Sequence, residues 1–328
     1  MAINIEVPDR GRPDTTITGF WNLRRPKSLR KNLCTNGQSF DRFLGVGQGD
    51  LGRSISDPSR LRAVLTRNIS LEHVKGIAVR AATAAVEIYR RQDAWIEQKA
   101  DGSPLTEADM ASERIINAEL PPVDPSIPYL SEESAPPSYE TRRGWRRFWL
   151  VDPLDGTKEF IKRTDEFTVN IALIEDGEPV LGVIAAPALG VVYSGSKYHG
   201  AWKERDGEAP ERLRSHLADP TQPLRVVESA SHPSPELERF LNGFQVAERL
   251  KIGSSLKFCL LADGSADLYP RLGPTMEWDV AAGDCIYRYS AEGESPHPSP
   301  LTYNKESLRN DRFVLGLAPG TYALPQQA

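Results

Sequence analysis

Cysteine and long apolar runs are scarce in this chain of 328 residues. Its three cysteines form no CxxC pair, which argues against a disulfide framework and favours a reducing compartment. The most apolar stretch, residues 180–192, is interrupted by Gly182, Pro187 and Gly190 and is too short to span a membrane. The first residues also lack the apolar core of a secretory signal, so we expect a cytoplasmic protein without a transmembrane segment.

An excess of positive charge is also missing, since the formal net charge is −5. This argues against a protein that binds nucleic acid over its whole surface. Residues 1–68 differ, with 12 Lys/Arg against 6 Asp/Glu, a net of +6 that leaves −11 for the remaining chain. This Arg-, Gly-, Ser- and Pro-rich segment predicts a poorly ordered extension. A nucleic-acid-binding arm is the alternative, although few aromatic residues are present to stack on bases.

Hydrophobic periodicity begins near residue 70 and predicts alternating helices and strands. We expect helices at about residues 70–91, 106–120, 235–241, 253–263 and 280–287, and strands at about 94–98, 148–151, 167–174, 180–185, 191–194, 201–203 and 224–229. The polar connection 210–223 predicts a boundary between a subdomain at 69–215 and another at 216–328.

The most informative motif follows the apolar strand at 148–151. Asp152 and Asp155 flank a Pro-Leu pair, Gly156 allows a tight turn, and Thr157 stands where a helix can begin. On their own, two such aspartates can simply cap the next helix. Further carboxylates, however, lie upstream and downstream of this motif and favour a functional interpretation.

These further carboxylates are the Glu132-Glu133 pair and Asp279. Carboxylates without nearby histidine or cysteine are typical ligands of a hard cation such as Mg²⁺. Two cations about 3.5–4 Å apart can neutralise a phosphoryl group, activate water and stabilise the leaving oxygen. The residues therefore predict a metal-dependent enzyme of phosphoryl transfer or phosphate-ester hydrolysis.

Several long strings resemble one known superfamily. The segments SEE at 131–133, DPLDGT at 152–157 and WDVAAG at 278–283 are similar to the lithium-sensitive, Mg²⁺-dependent phosphatases, which include inositol monophosphatase, fructose-1,6-bisphosphatase and the 3'(2'),5'-bisphosphate nucleotidases. The strings DGTKEFIKRTDEFTVNIALI, GSSLKFCLLADGSADLYPRLGPTMEWD and LTYNKESLRN resemble the bacterial CysQ-type nucleotidases within it. The likeness runs from about residue 70 to 316. It implies an α/β (α+β) fold, a layered α-β-α-β-α sandwich.

The resemblance also implies a division of roles in the site. Two or three Mg²⁺ ions would be held by Glu132, Asp152, the Leu154 carbonyl, Asp155 and Asp279. Thr157 and Asp109 would orient the attacking water. From the residues alone, Asp109 with Thr106 is also close to a helix-capping box, and the two interpretations are compatible.

Substrate contacts are the least specific part of the prediction. The set expected to touch a nucleotide is Glu132, Leu154, Asp155, Gly156, Thr157, Ser231, His232, Ser255, Lys257, Arg271 and Asp279. Without the family context, His232 is an ordinary surface or packed histidine and Arg271 a solvated loop arginine. The chain departs from the family pattern at Ala230, where arginine is usual, and at residues 285–296.

The resemblance thus implies removal of the 3'-phosphate of adenosine 3',5'-bisphosphate (PAP), with its sulfated analogue PAPS as a second substrate. An inositol or sugar-phosphate phosphatase is the nearest alternative. A non-catalytic nucleotide-binding regulator is an alternative from another class. The expected partner is a small nucleotide rather than a nucleic acid, and the sequence leaves oligomeric partners open.

Overall fold

The computed structural model describes residues 69–91, 93–99, 102–231, 235–293 and 295–324. The predictions for the extension at 1–68 and for His232 lie outside these ranges and stay predictions. Among the described residues, no helix combines the length and apolar character needed to cross a membrane.

Two helices separated by a small hairpin begin the described chain. These elements are α1 (Leu71–Tyr89), β1 (Ile96–Gln98), β2 (Pro104–Thr106) and α2 (Glu107–Glu119). The α1 helix buries Val74, Ile77 and Ala81 at helical spacing, and the Ser70 side chain accepts from the His73 N–H at its start. Both predicted helices are therefore confirmed within one or two residues.

A seven-stranded sheet forms the centre of the molecule. Its strands are β3 (Tyr129–Ser131), β4 (Arg147–Asp155), β5 (Thr168–Glu175), β6 (Glu178–Ala186), β7 (Val191–Ser196), β8 (Gly200–Arg205) and β9 (Glu211–Arg212), and they neighbour one another in chain order. Only β3 and β4 pair in parallel, and all other neighbours in this sheet are antiparallel. The strands predicted at 167–174 and 180–185 are β5 and β6, which form an antiparallel hairpin with Gly177 in its turn.

The remaining elements connect strands of the central sheet or lie outside it in the chain. The helices are α3 (Tyr139–Arg142), α4 (Thr157–Lys162), α5 (Pro235–Leu241), α6 (Leu256–Ala262) and α7 (Glu277–Tyr289). The strands are β10 (Leu224–Ser229), β11 (Val246–Ile252), β12 (Tyr269–Arg271), β13 (Thr275–Met276), β14 (Arg309–Asn310) and β15 (Phe313–Leu315), with single 3₁₀ turns at Pro121–Val123 and Pro187–Leu189. The pairs are β10–β11, β12–β15 and β13–β14.

Alternating side chains divide the core into layers. In β4, Trp149 and Val151 join the apolar cluster of α1 and α2, whereas Phe148 and Leu150 join the cluster of α6 and α7. In β10, Val227 belongs to the α6–α7 side, whereas Val226 packs with α5. The order of layers is thus helix, sheet, helix, sheet, helix, and the predicted sandwich is confirmed.

Close packing fixes α7 between the central sheet and α6. A Cβ on Gly182 of β6 would lie 2.6 Å from the Ala282 carbonyl, and one on Gly283 would lie 2.5 Å from the Phe258 ring. Only glycine permits these approaches. Helix α7 begins at Glu277 rather than just after Asp279 as predicted, and α6 begins at Leu256 rather than 253. The division at residue 215 stays a prediction.

Candidate metal centre and active site

A β-bulge places the two aspartates of the DPLD segment on one side of the sheet. Asp152 is paired with Asn170 and Asp155 with Thr168, so three steps along β4 match two along β5. Residues three apart would point to opposite faces of a regular strand. The extra residue removes this difference, and both aspartates line the same cleft.

Parallel pairing brings Glu132 to the same place. Strand β3 ends at Ser131, which is paired with Val151 of β4, and the Glu132 N–H donates to the Val151 carbonyl over 3.1 Å. The carboxyl ends of parallel strands meet at one edge of a sheet. Glu132 therefore follows β3 at the level where Asp152 follows Val151.

The first turn of α7 contributes Asp279. Its Oδ2 accepts the Met276 N–H over 2.8 Å, which pins the carboxylate at the start of the helix. Because α7 is held tightly against the sheet, this carboxylate has a fixed position relative to β4.

Glu132, Asp152 and Asp279 converge so that one carboxylate oxygen of each lies within 4.8 Å of the others. Burial, followed by repulsion from neighbouring carboxylates, raises the pKa of Asp152 well above its usual range. Burial likewise raises the pKa of Asp155 to about 6 and that of Asp279 to about 8. A compact set of oxygen donors with mutual repulsion fits a hard divalent cation such as Mg²⁺.

We expect Mg²⁺ to stabilise the fold more at pH 8 than at pH 5.5. A carboxyl whose folded-state pKa is raised contributes stability below its unfolded pKa, and this contribution is lost as pH rises through the folded value. For Asp155 and Asp279 that window runs from about 4 to about 8. The metal-free chain therefore loses stability over this range, while Mg²⁺ binds the same ionised oxygens.

Thermal unfolding with EDTA and with Mg²⁺ at both pH values measures this effect, with NaCl at matched ionic strength as the control. An equal Mg²⁺-induced rise in Tm at pH 5.5 and 8 would contradict the assignment of these carboxylates to one cation site.

Thr157 and Asp109 meet beside the carboxylate cluster. The Thr157 hydroxyl lies 3.4 Å from Asp109 Oδ1 and 3.3 Å from the Leu154 carbonyl. Asp109 Oδ2 also accepts from the backbone N–H of Thr106 over 2.8 Å, and the Thr106 side chain accepts from Ala108, so the capping box is present. Asp109 is thus held at one oxygen and faces Thr157 with the other. Burial raises its pKa to about 6.

The turn between β4 and α4 requires glycine. Gly156 has a φ of 92°, and a Cβ there would lie 2.8 Å from the Glu166 carbonyl. This turn places Thr157 at the first position of α4.

A cleft of about 260 Å³ opens over these groups. It is lined by Ser103, Pro104, Glu132, Asp152, Leu154, Asp155, Gly156, Thr157, Lys158, Glu159, Ser229, Ser254, Ser255, Lys257, Phe258, Tyr269, Arg271, Thr275, Asp279 and Val280. All five predicted metal-binding residues are among them. Asp109 lies behind Thr157 and is buried.

Two predicted cationic residues form another part of the cleft wall. The Lys257 ammonium donates to the backbone carbonyls of Ser254 and Ile252, and burial lowers its pKa to about 8. Arg271 donates to the Pro274 carbonyl over 2.9 Å. These cations give the cleft a positive side in addition to its carboxylate side.

The remaining predicted substrate-binding residues, Ser255, Ser231 and His232, differ in how they relate to the cleft. The buried Ser255 hydroxyl donates to Asn170 Oδ1 over 2.9 Å, which links α6 to the strand that faces Asp152. The Ser231 hydroxyl donates to Glu159, a lining residue. His232 lies outside the described ranges, and its predicted contact stays a prediction.

Sequence reasoning missed Lys99. It follows β1, and its ammonium lies 2.8 Å from Glu132 Oε1 and 2.6 Å from Glu133 Oε1. Burial opposes its charge, but both glutamates raise the pKa of Lys99 above its usual range. A single lysine before an Asp-Gly turn resembles a solvated residue, so no local pattern indicated this contact.

Several known bacterial proteins are similar in sequence to this chain. The 3'(2'),5'-bisphosphate nucleotidase CysQ of Escherichia coli K12 is 46% identical over 252 residues, which cover 75% of this chain and 99% of that protein. The protein of the same name from Haemophilus influenzae is 36% identical over 249 residues, covering 75% of this chain and 91% of that one. The predicted resemblance is confirmed.

Solved structures agree with this likeness. The crystal structure of CysQ from Bacteroides thetaiotaomicron, described as a bacterial member of the inositol monophosphatase family, is similar with a TM-score of 0.61 at 39% identity, covering 74% of this chain and 94% of that one. Thermotoga maritima IMPase has a TM-score of 0.60 at 22% identity, covering 75% and 92%, and shows the shared fold alone. The inositol monophosphatase family model matches residues 70–291. This chain therefore belongs to the inositol monophosphatase family.

Proposed function

We propose that this protein is an Mg²⁺-dependent 3'(2'),5'-bisphosphate nucleotidase that hydrolyses the 3'-phosphate of PAP to give AMP and inorganic phosphate. The main support is the convergence of Glu132, Asp152 and Asp279 in a chain that is 46% identical to a nucleotidase of that name. PAPS is a second proposed substrate. We also propose a cytoplasmic location. The described cysteines, Cys259 and Cys285, are buried free thiols, which suits a reducing compartment.

The metal ligands are proposed to be the carboxylates of Glu132, Asp152, Asp155 and Asp279 with the Leu154 carbonyl. Two or three Mg²⁺ ions are proposed to bind there. When bound, they supply positive charge to the phosphoryl oxygens and lower the pKa of water. The chemistry of the donor set supports this assignment, since it contains oxygen alone.

Thr157 and Asp109 are proposed to position the attacking water. The Thr157 hydroxyl donates to Asp109 Oδ1, which leaves the threonine oxygen free to accept a hydrogen bond from water. In the reaction the oxygen of water bonds to phosphorus and the bond from phosphorus to the 3'-oxygen breaks. The 3'-oxygen takes up a proton and becomes the 3'-hydroxyl group of AMP, and the water oxygen stays on the released phosphate. The buried Asp109 fixes the direction of the threonine O–H and so the orientation of the water.

Lys257 and Arg271 are proposed to bind the second phosphate, with Ser255, Ser231 and His232 as further predicted contacts. Both cations line the cleft that contains the carboxylates. A substrate with two phosphate groups can therefore place one at the carboxylates and the other at the cations. This arrangement favours a bisphosphorylated nucleotide over inositol 1-phosphate.

Release of inorganic phosphate from PAP and from inositol 1-phosphate, each with Mg²⁺, tests the proposal. We expect a preference for PAP of about tenfold or more in kcat/KM, because each lost charge-assisted hydrogen bond costs about 1.5–3 kcal/mol. EDTA should abolish the release, and Li⁺ at tens of millimolar should inhibit it.

Preference for inositol 1-phosphate would overturn the substrate assignment and leave the metal site intact. Binding of PAP without phosphate release from either compound would instead favour a non-catalytic nucleotide-binding protein.

A further inference from the structure

Glu113 is a buried carboxylate near the metal centre that the proposed chemistry does not use. It lies on α2 four residues after Asp109, which is about one helical turn, or 6 Å along the axis. Glu113 is only 7% exposed. Ionised carboxylates are unfavourable in such surroundings unless donors surround them.

Three hydroxyl groups donate to this carboxylate. Tyr129 Oη and Ser131 Oγ each lie 2.8 Å from Glu113 Oε2, and Ser134 Oγ lies 3.2 Å from Oε1. Burial and the neighbouring Glu113 raise the pKa of the Tyr129 phenol above its usual range, so it stays protonated and can donate at any physiological pH.

The three donors lie on both sides of Glu132 in the sequence. Tyr129 and Ser131 belong to β3, and Ser134 closes the turn after it, where its N–H donates to the Ser131 carbonyl over 3.3 Å. Glu132 itself is tied to β4 through its backbone N–H, which donates to the Val151 carbonyl, and its side chain accepts from Lys99 of the β1–β2 hairpin. Glu113 therefore fixes both ends of the short segment that presents the Glu132 carboxylate.

We infer that Glu113 is a positioning residue, which holds the Glu132 segment in the geometry needed for Mg²⁺ without itself binding the ion. Helix α2 then orients two parts of the site from adjacent turns, namely the Thr157 hydroxyl through Asp109 and the Glu132 carboxylate through Glu113. This inference rests on the proposed function for its effect on turnover, but its effect on Mg²⁺ binding is independent of the substrate.

Glu113→Ala removes all three contacts, and we expect it to weaken Mg²⁺ binding by about tenfold or more. Loss of a hydrogen-bonding partner behind a metal ligand typically has an effect of 10–100-fold. Titration calorimetry of Mg²⁺ against the whole chain measures this, together with the Mg²⁺ concentration for half-maximal phosphate release. At saturating Mg²⁺, KM for PAP should stay within about twofold, because Glu113 is not among the residues that line the cleft.

Two further variants keep the inference testable if Glu113→Ala fails to fold. Glu113→Gln retains an oxygen that can accept from Tyr129 and Ser131, and should bind Mg²⁺ within about threefold of the wild type. Tyr129→Phe removes one donor and should weaken Mg²⁺ binding in the same direction as Glu113→Ala, by a smaller factor.

Glu119→Ala is the matched control, since it removes a carboxylate from the same helix that pairs with Arg80 rather than with the site. It should leave Mg²⁺ affinity unchanged. If Glu113→Ala lowers Tm but leaves Mg²⁺ affinity unchanged, its role is purely structural and the inference is wrong. If Mg²⁺ affinity falls as expected but neither the wild type nor any variant hydrolyses PAP, the positioning role stands and the proposed function fails.

Discussion

Replacement of Asp152 by asparagine is expected to lower kcat on the order of 10³-fold or more. Asp152 is 1% exposed and lies at the centre of the carboxylate cluster with Glu132 and Asp279. Its Oδ1 accepts the Leu154 N–H over 3.0 Å, a contact that the amide oxygen of asparagine can keep. The substitution therefore removes a charge from the proposed metal site and leaves the local turn intact.

Stability provides an independent readout for the same variant. Burial, and next to it repulsion from the neighbouring carboxylates, raises the pKa of Asp152, so its ionised form is unfavourable in the metal-free protein. Asp152→Asn removes this charge and should leave the Tm of the metal-free protein unchanged or higher. The rise in Tm on adding Mg²⁺ should become smaller. Asp176→Asn, in the β5–β6 turn and paired with Arg146, is the control that makes the same chemical change away from the site. Near wild-type kcat in Asp152→Asn would show that this carboxylate is not an essential ligand.

Two of the proposed ligands, Asp152 and Asp155, were found from the sequence because they follow an apolar run at 148–151 that predicts a strand. Strand β3, which precedes Glu132, was not predicted, and β4 continues through Asp155 rather than ending at residue 151. The bulge that turns Asp152 and Asp155 to one side was not predictable, because it depends on the register with β5.

Contacts between distant segments were also beyond sequence reasoning. Glu113 is a helix residue with no local pattern that distinguishes it from an exposed glutamate, and its three hydroxyl partners follow 16 to 21 positions later. Lys99 reaches Glu132 only because the β1–β2 hairpin lies beside the β3 turn. Such pairs are set by how the layers pack, which periodicity alone does not determine.

Residues after Gly283, where the sequence departs from the family pattern, make contacts with one another and with the following segment. Within α7, Arg288 pairs with the buried Asp284 over 2.9 Å, and Tyr303 donates to the same carboxylate. His297 stacks on Tyr287 with ring centroids 4.8 Å apart. These contacts lie beyond the first turn of α7, and Asp279 keeps its place at the helix start.

Removal of the Thr157 hydroxyl is expected to lower kcat by about 10²–10⁴-fold while Mg²⁺ binding stays close to normal. Thr157→Val keeps the shape of the side chain but loses the O–H that faces Asp109 Oδ1. Calorimetric titration of Mg²⁺ and steady-state kinetics with PAP separate the two effects. A variant that loses Mg²⁺ affinity in proportion to kcat would place Thr157 in the metal site rather than in water positioning.

A double variant that combines Thr157→Val with Asp109→Asn tests whether Thr157 and Asp109 act as one unit. Asp109→Asn alone should lower kcat by a similar factor, because its amide oxygen can keep the contact with the Thr106 N–H while its amide N–H₂ group then faces the Thr157 hydroxyl. If the carboxylate acts only through the threonine hydroxyl, the double variant should be no slower than the worse single variant. Multiplicative losses in kcat would mean that Asp109 and Thr157 contribute separately, and the geometry between them would then serve the fold of α2 more than the orientation of water.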